Sequence, residues 1–186
     1  NTQPWELVIV SGAKLQAIKE AFSKQDGVRA LPDFPAPESF PEAYKVRFRN
    51  LAARVSEAAK KGRRGKPAGD WYLQGPRLYG APAAIYIFID RAFYEQAGNF
   101  NVWPVFDCGL VAQNIMLQAT HYGLGTVIQA QAVHYPNVLR QMLGIPDSKL
   151  VLVGIAVGYP DWDNPINDFR SDRESADNLV KWYGFE

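Results

Sequence analysis

The stretch VWPVFDCGLVAQNIMLQATHYGLGT, residues 102–126, decides the fold. Val105, Phe106, Leu110, Val111, Ile115, Met116, Leu117 and Ala119 surround nearly the whole circumference of the helix it predicts. A helix that is apolar all round is either central and buried or part of a dimer interface. Gly123-Leu124-Gly125 stops it, because glycine accepts the left-handed conformation that closes a helix. Cys108 on such a helix reads as an inert core thiol, since burial raises a thiol's pKa. Asp107 beside it needs a partner, in a structural hydrogen bond or equally in a site.

Outward from this helix, residues 83–90 form an unbroken apolar run that predicts a strand covered on both faces. Residues 5–10 predict another strand, rich in Val and Ile. Ser11 then caps a short helix marked by Leu15, Ile18 and Phe22. Pro32, Pro35, Pro37 and Pro41 make the following segment a loop. Helical character returns over 42–60, with Tyr44, Phe48, Leu51, Ala52 and Val55 on one stripe. The basic run over 60–67 reads as a solvated loop, or as a lid attracting an acidic substrate or a cofactor phosphate.

Downstream, residues 126–132 are expected to be extended. A short helix runs from Pro136 to its stop at Gly144, and residues 150–157 form a second buried strand. A last helix or extension is expected over 176–182. Helices and strands do not alternate strictly, so the reading is one α+β domain over 1–186.

The totals narrow the function. Hydrophobic residues are 47% and charged residues 21% of 186, the profile of an ordinary globular domain. Lys plus Arg number 20 against 19 Asp plus Glu, so no nucleic acid or anionic membrane is expected as partner. No apolar run is long enough to span a bilayer. One cysteine and two histidines leave no disulfide framework and no zinc cluster to expect, and a reducing, cytoplasmic setting fits. His121, near a helix C-terminus, and His134, in a loop, read as surface or capping residues. There is no nucleophile elbow, phosphate-loop lysine or metalloprotease helix. A chain this poor in nucleophiles carries out hard chemistry only through a cofactor.

Several segments, in order, resemble one family. They are Asn1-Thr2-Gln3-Pro4-Trp5 with Val8-Ile9-Val10-Ser11-Gly12, then Tyr79-Gly80-Ala81-Pro82-Ala83-Ala84-Ile85. Asp107-Cys108-Gly109-Leu110-Val111-Ala112-Gln113-Asn114 and Gly123-Leu124-Gly125-Thr126 follow. Leu143-Gly144-Ile145-Pro146-Asp147, Val153-Gly154-Ile155-Ala156-Val157-Gly158-Tyr159-Pro160 and Arg170-Ser171-Asp172-Arg173 close the series. In this order they resemble the nitroreductase family of flavoproteins.

The resemblance implies a nitroreductase-like α+β fold: a mixed central sheet flanked by helices in an intertwined homodimer with FMN at its interface. It implies hydride transfer from NAD(P)H through FMN to a nitroaromatic, quinone-like or other small aromatic acceptor. Asn1 and Gln3 would face the flavin, where amides can both donate and accept. Ile128, Gln129, Ala130 and Gln131 would lie against its face, with a backbone N–H near N5; by residue pattern alone this is an edge strand. Arg170 and Arg173 would hold the FMN phosphate; by residue type alone they are equally two surface arginines. Trp103, Phe106 and the loop around Trp71-Tyr72 would shape the acceptor pocket. The family usually begins with an Arg-Arg-Ser-like segment, so the chain is expected to lack its usual N-terminal segment. Related flavoproteins carry out dehalogenation, dehydrogenation or flavin breakdown, which is the alternative chemistry. A non-catalytic flavin-binding or flavin-free dimer is the alternative class.

Overall fold

The computed structural model describes residues 2–61, 74–96 and 99–185. By internal packing the chain groups into two compact units, one of residues 1–37 and 70–160, the other of residues 38–69 and 161–186.

The first unit is built on a four-stranded sheet of order β1-β2-β6-β5. Its strands are β1 (Trp5–Ser11), β2 (Ala83–Asp90), β5 (Gly125–Gln129) and β6 (Lys149–Gly158). Every pairing among them is antiparallel, so the mixed character implied by the resemblance is not present among the described strands. β2 and β6 occupy the centre, and no residue of either is exposed, as the continuous apolar runs require. β3 (Glu95–Gln96) and β4 (Asn99–Phe100) form a small separate ladder.

Each face of the sheet has its own core. On one side Val10, Ala84, Tyr86, Phe88, Val151 and Ala156 pack with α1 (Gly12–Ser23) and α5 (Pro136–Leu143). α1 contributes Leu15, Ile18 and Phe22, the three positions that its spacing picks out. Ser11 stands at the N-cap, but its side chain makes no capping hydrogen bond. α5 ends at Gly144 with φ 68°, the left-handed turn that favours glycine. On the other side Ile87, Ile89, Leu150 and Ile155 pack with Cys108 and Ala112 of α4 (Trp103–His121).

Two polar fastenings tie this unit together. Lys149 donates to Glu6 at 2.5 Å and to Asp90 at 2.9 Å, strapping three strands at one end of the sheet. The Lys149 bond is the main cause holding the Asp90 carboxyl below its ordinary pKa, and Asp90 also caps the short α3 (Arg91–Tyr94) through Ala92 N–H. Asp33, in the proline-rich loop, accepts from Arg140 at 2.7 Å and from Val151 N–H at 2.7 Å. Arg140 also donates to Lys149 O at 2.8 Å.

The second unit holds α2 (Glu42–Lys61) and the C-terminal segment with the single turn α6 (Ala176–Leu179). The expected stripe on α2 is largely exposed at Tyr44, Phe48 and Leu51, while Val55 and Ala59 are buried. Arg47 pairs with Glu174 at 2.7 Å, and Arg54 pairs with Asp172 while stacking over Phe169 at 5.3 Å. Of the helix or extension expected over 176–182, the helical part is the single turn to Leu179, and Val180 is extended, with Leu179, Trp182 and Tyr183 exposed.

Candidate active site

After β5 the backbone leaves the strand and turns a corner. β5 is an edge strand paired only with β6, and Val127 and Ile128 are partly exposed on it. Extended backbone was expected through Ala132. Instead Ala130 turns to φ −72°, ψ −31°, and residues Gln131–Val133 form a 3-10 turn. The reason is packing beside Gly154: a Cβ there would stand 2.6 Å from Ala132 Cβ, so only a bare glycine lets the turn settle onto β6. Gln131 in turn lies against Gly75, where an added Cβ would be 3.2 Å from its Cβ. The turn's own bonds run from Val133 N–H to Ala130 O and from His134 N–H to Gln131 O.

The four residues expected here therefore separate by environment. Ile128 and Ala130 face outward, Gln131 is half-buried, and Gln129 is 6% exposed. Gln3 is exposed just ahead of β1 with φ 45°, a left-handed conformation that costs a non-glycine residue about 1–2 kcal/mol. Asn1 and the Trp71-Tyr72 loop lie outside the described residues, as does the basic run beyond Lys61.

Arg170 and Arg173 belong to the second unit. Arg170 donates to Asn167 O at 2.6 Å and Phe169 O at 3.0 Å. Arg173 donates to Ser171 Oγ at 2.5 Å and Asp172 O at 3.0 Å. Neither forms an ion pair with a carboxylate among the described residues. They flank Asp172, which is itself engaged by Arg54.

α4 carries two apolar stripes. Pro104, Cys108 and Ala112 are buried against the sheet. Trp103, Phe106, Leu110 and Leu117 lie on another side and are 69%, 57%, 53% and 57% exposed. Ile9 on the neighbouring β1 is 71% exposed. A cavity of about 310 Å³ lies where α4 approaches the start of β1, lined by Thr2, Trp5, Asp107, Leu110, Val111 and Asn114. Asp107, unexplained by the sequence, thus faces an open space. Cys108 is buried, and burial with the Asp107 charge pushes its thiol up to about 11, so it stays protonated and unreactive. His121 is exposed at the end of α4; His134 is half-buried, and desolvation lowers its pKa. No described helix is long and apolar enough to cross a membrane.

Comparison with known proteins bears on all of these features. The sequence model of the nitroreductase family matches residues 1–159. The chain is 31% identical to nitroreductase NfnB of Mycolicibacterium smegmatis, over 98% of this chain and 76% of that protein. It is 31% identical to the nitrobenzene nitroreductase of Ectopseudomonas oleovorans, over 90% of this chain and 73% of that protein. Among solved structures it resembles the FMN-dependent nitroreductase NfnB from Mycobacterium smegmatis in complex with NADPH. That match has a TM-score of 0.81 at 27% identity, over 98% of this chain and 80% of the other. With the family model over residues 1–159 and the structural match over 98% of this chain, the chain belongs to the nitroreductase family and has its α+β fold.

Proposed function

We propose that this chain is an FMN-dependent oxidoreductase that passes hydride from NAD(P)H to nitroaromatic or quinone-like acceptors. The observation that carries the reading is its end-to-end kinship with an FMN-dependent nitroreductase solved with NADPH. The family match crosses both compact units, and we read them as parts of one nitroreductase-like domain.

The residues present suit FMN. Two guanidinium groups without carboxylate partners among the described residues suit a phosphate, and an exposed strained amide suits the mixed donor–acceptor edge of the ring. The exposed Ile128 suits an apolar ring face. When bound, FMN would supply the two-electron hydride chemistry that no side chain of this protein carries. In this reading Arg170 and Arg173 hold the phosphate. Asn1 and Gln3 orient the ring edge. Residues 128–131 present a backbone N–H toward N5, where a donor favours accumulating negative charge. No side chain is needed as acid or base; orientation and water exclusion are the protein's share.

We also read the protein as a homodimer. The outward stripe Trp103, Phe106, Leu110 and Leu117, with Ile9 beside the helix, is an apolar surface that a second copy would cover. A cytoplasmic setting suits the lone, inert Cys108.

The test is a visible spectrum after loading with FMN and gel filtration, followed by NAD(P)H oxidation with nitrobenzoate or a quinone. Retained flavin and acceptor-dependent oxidation are expected. Retained flavin with no turnover on any acceptor would replace the enzyme with a flavin-sequestering dimer. A colourless protein would remove the flavin role from this chain.

A further inference from the structure

Tyr86, Gly154 and Gln129 stand side by side across three strands. Tyr86 pairs with Gly154 from β2, and Gln129 pairs with Gly154 from β5, so all three share one face of the sheet. That face is the one under the 3-10 turn Gln131–Val133. Gly154 has no side chain, and the space above it is taken by the Tyr86 ring and Ala132. A Cβ on Gly154 would stand 3.3 Å from the ring's Cε1.

Tyr86 is fully buried and Gln129 is 6% exposed. Tyr86 Oη, Gln129 Nε2 and Gln129 Oε1 are all buried without a hydrogen-bond partner among the described residues. Unsatisfied buried polar atoms are scarce in native proteins, and three in one row of one sheet are not independent accidents. Their chemistry is complementary: a hydroxyl both donates and accepts, the amide nitrogen donates and the amide oxygen accepts. Three such groups on neighbouring positions of one sheet face are the partner set of one enclosed water. Burial raises the phenol's pKa, so the hydroxyl keeps its proton throughout the working range.

We infer that Tyr86 and Gln129 form a polar couple bridged by one enclosed water, and that this couple fixes the backbone corner at Ala130. Both are then positioning residues, acting through the β5-to-turn backbone rather than by touching substrate. The positioning role rests on the reading that residues 128–131 lie against the flavin; the couple itself does not.

The test has one arm for each part. Without flavin, Tyr86→Phe and Gln129→Leu are each expected to speed amide exchange at residues 130–133 by roughly tenfold, the effect of about one hydrogen bond. Amides of β1 and of the outer part of β2 should not change. The double variant should be no faster than the worse single variant, because the second change removes nothing further. A crystal structure should show one water about 2.8 Å from the hydroxyl and within bonding range of the amide. Exchange that rises evenly across the sheet, additive variants, or a dry site would each overturn the couple. With FMN loaded, both variants should shift the flavin midpoint potential, and Tyr86→Phe should leave KM for the nicotinamide donor unchanged. An unshifted potential in variants whose corner exchanges faster would overturn the positioning role alone. Failure of the unaltered chain to hold FMN would sink the site reading and the positioning role with it, while exchange and crystallography still decide the couple.

Discussion

Replacing Asp33 by alanine is expected to be among the most damaging single changes outside the apolar core. The Asp33 and Arg140 side chains are 12% and 9% exposed, so the pair is nearly withdrawn from water. One carboxylate oxygen accepts both the Arg140 guanidinium and Val151 N–H, each at 2.7 Å. Losing the charge-assisted bond costs about 1.5–3 kcal/mol, and leaving the Val151 N–H unpaired adds roughly 1–3 kcal/mol. Arg140 keeps its bonds to Lys149 O and Asn137 but holds a buried charge with no close counterion. Asp147 is the nearest substitute, at 3.8 Å and fully exposed. Breaking one side of a buried pair typically costs about 3–5 kcal/mol, which sets the expected loss for Asp33→Ala. For a chain of this size that is a fall in Tm of roughly 6–20 °C. Asp33→Asn keeps one acceptor and should lose about half as much. The assay is equilibrium urea denaturation of both variants and of Asp33→Ala with Arg140→Met. The double change should recover part of the loss, since it removes the stranded charge. A loss below about 1 kcal/mol for Asp33→Ala would refute the reasoning, because it would mean the pair is solvated in solution.

Gly154→Ala should destabilise the protein by about 1–3 kcal/mol by driving a methyl into Ala132, read as a lower urea midpoint. His134 gives a pH signature. Burial favours its neutral form in the fold, so its contribution is full above the ordinary value of 6.5 and is lost as pH falls through the lower folded pKa. His134→Gln should therefore flatten the decline of stability below pH 6.5, measured by melting across the acid range. Leu110→Glu places a charge in the exposed stripe of α4 and should leave a folded monomer in sedimentation; an unchanged dimer would move the interface elsewhere.

Much of the architecture was legible because it depends on local periodicity. The run Ala-Ala-Ile-Tyr-Ile-Phe-Ile-Asp became β2 over the expected eight residues, and Pro136 and Gly144 bound α5 as their backbone preferences require. What was not legible depends on distant partners. Asp33 sits among prolines in what reads as an ordinary loop, and its importance comes from Arg140 and Val151, more than a hundred residues away. The bend at Ala130 arises from Gly154, a strand neighbour that only the register reveals. The all-round apolarity of α4 allowed two readings, central helix or interface; within this chain only one side of it is buried. The site residues came from family resemblance rather than from their chemistry, since amides, a plain backbone and two arginines carry no signature alone.

The order of strands in the sheet also bears on the protein's synthesis. β2 lies between β1 and β6, yet the chain makes β6 last of the three. Residues 91–148 must be translated after β2 leaves the ribosome before its second neighbour exists. At common elongation speeds that interval is on the order of 3–12 s. Throughout it, Ile85, Tyr86, Ile87, Phe88 and Ile89 have one open strand edge, and their cover from α5 and β6 is still missing. This is the segment a ribosome-associated chaperone would be expected to shield, and the one whose exposure would seed aggregates when expression outruns folding.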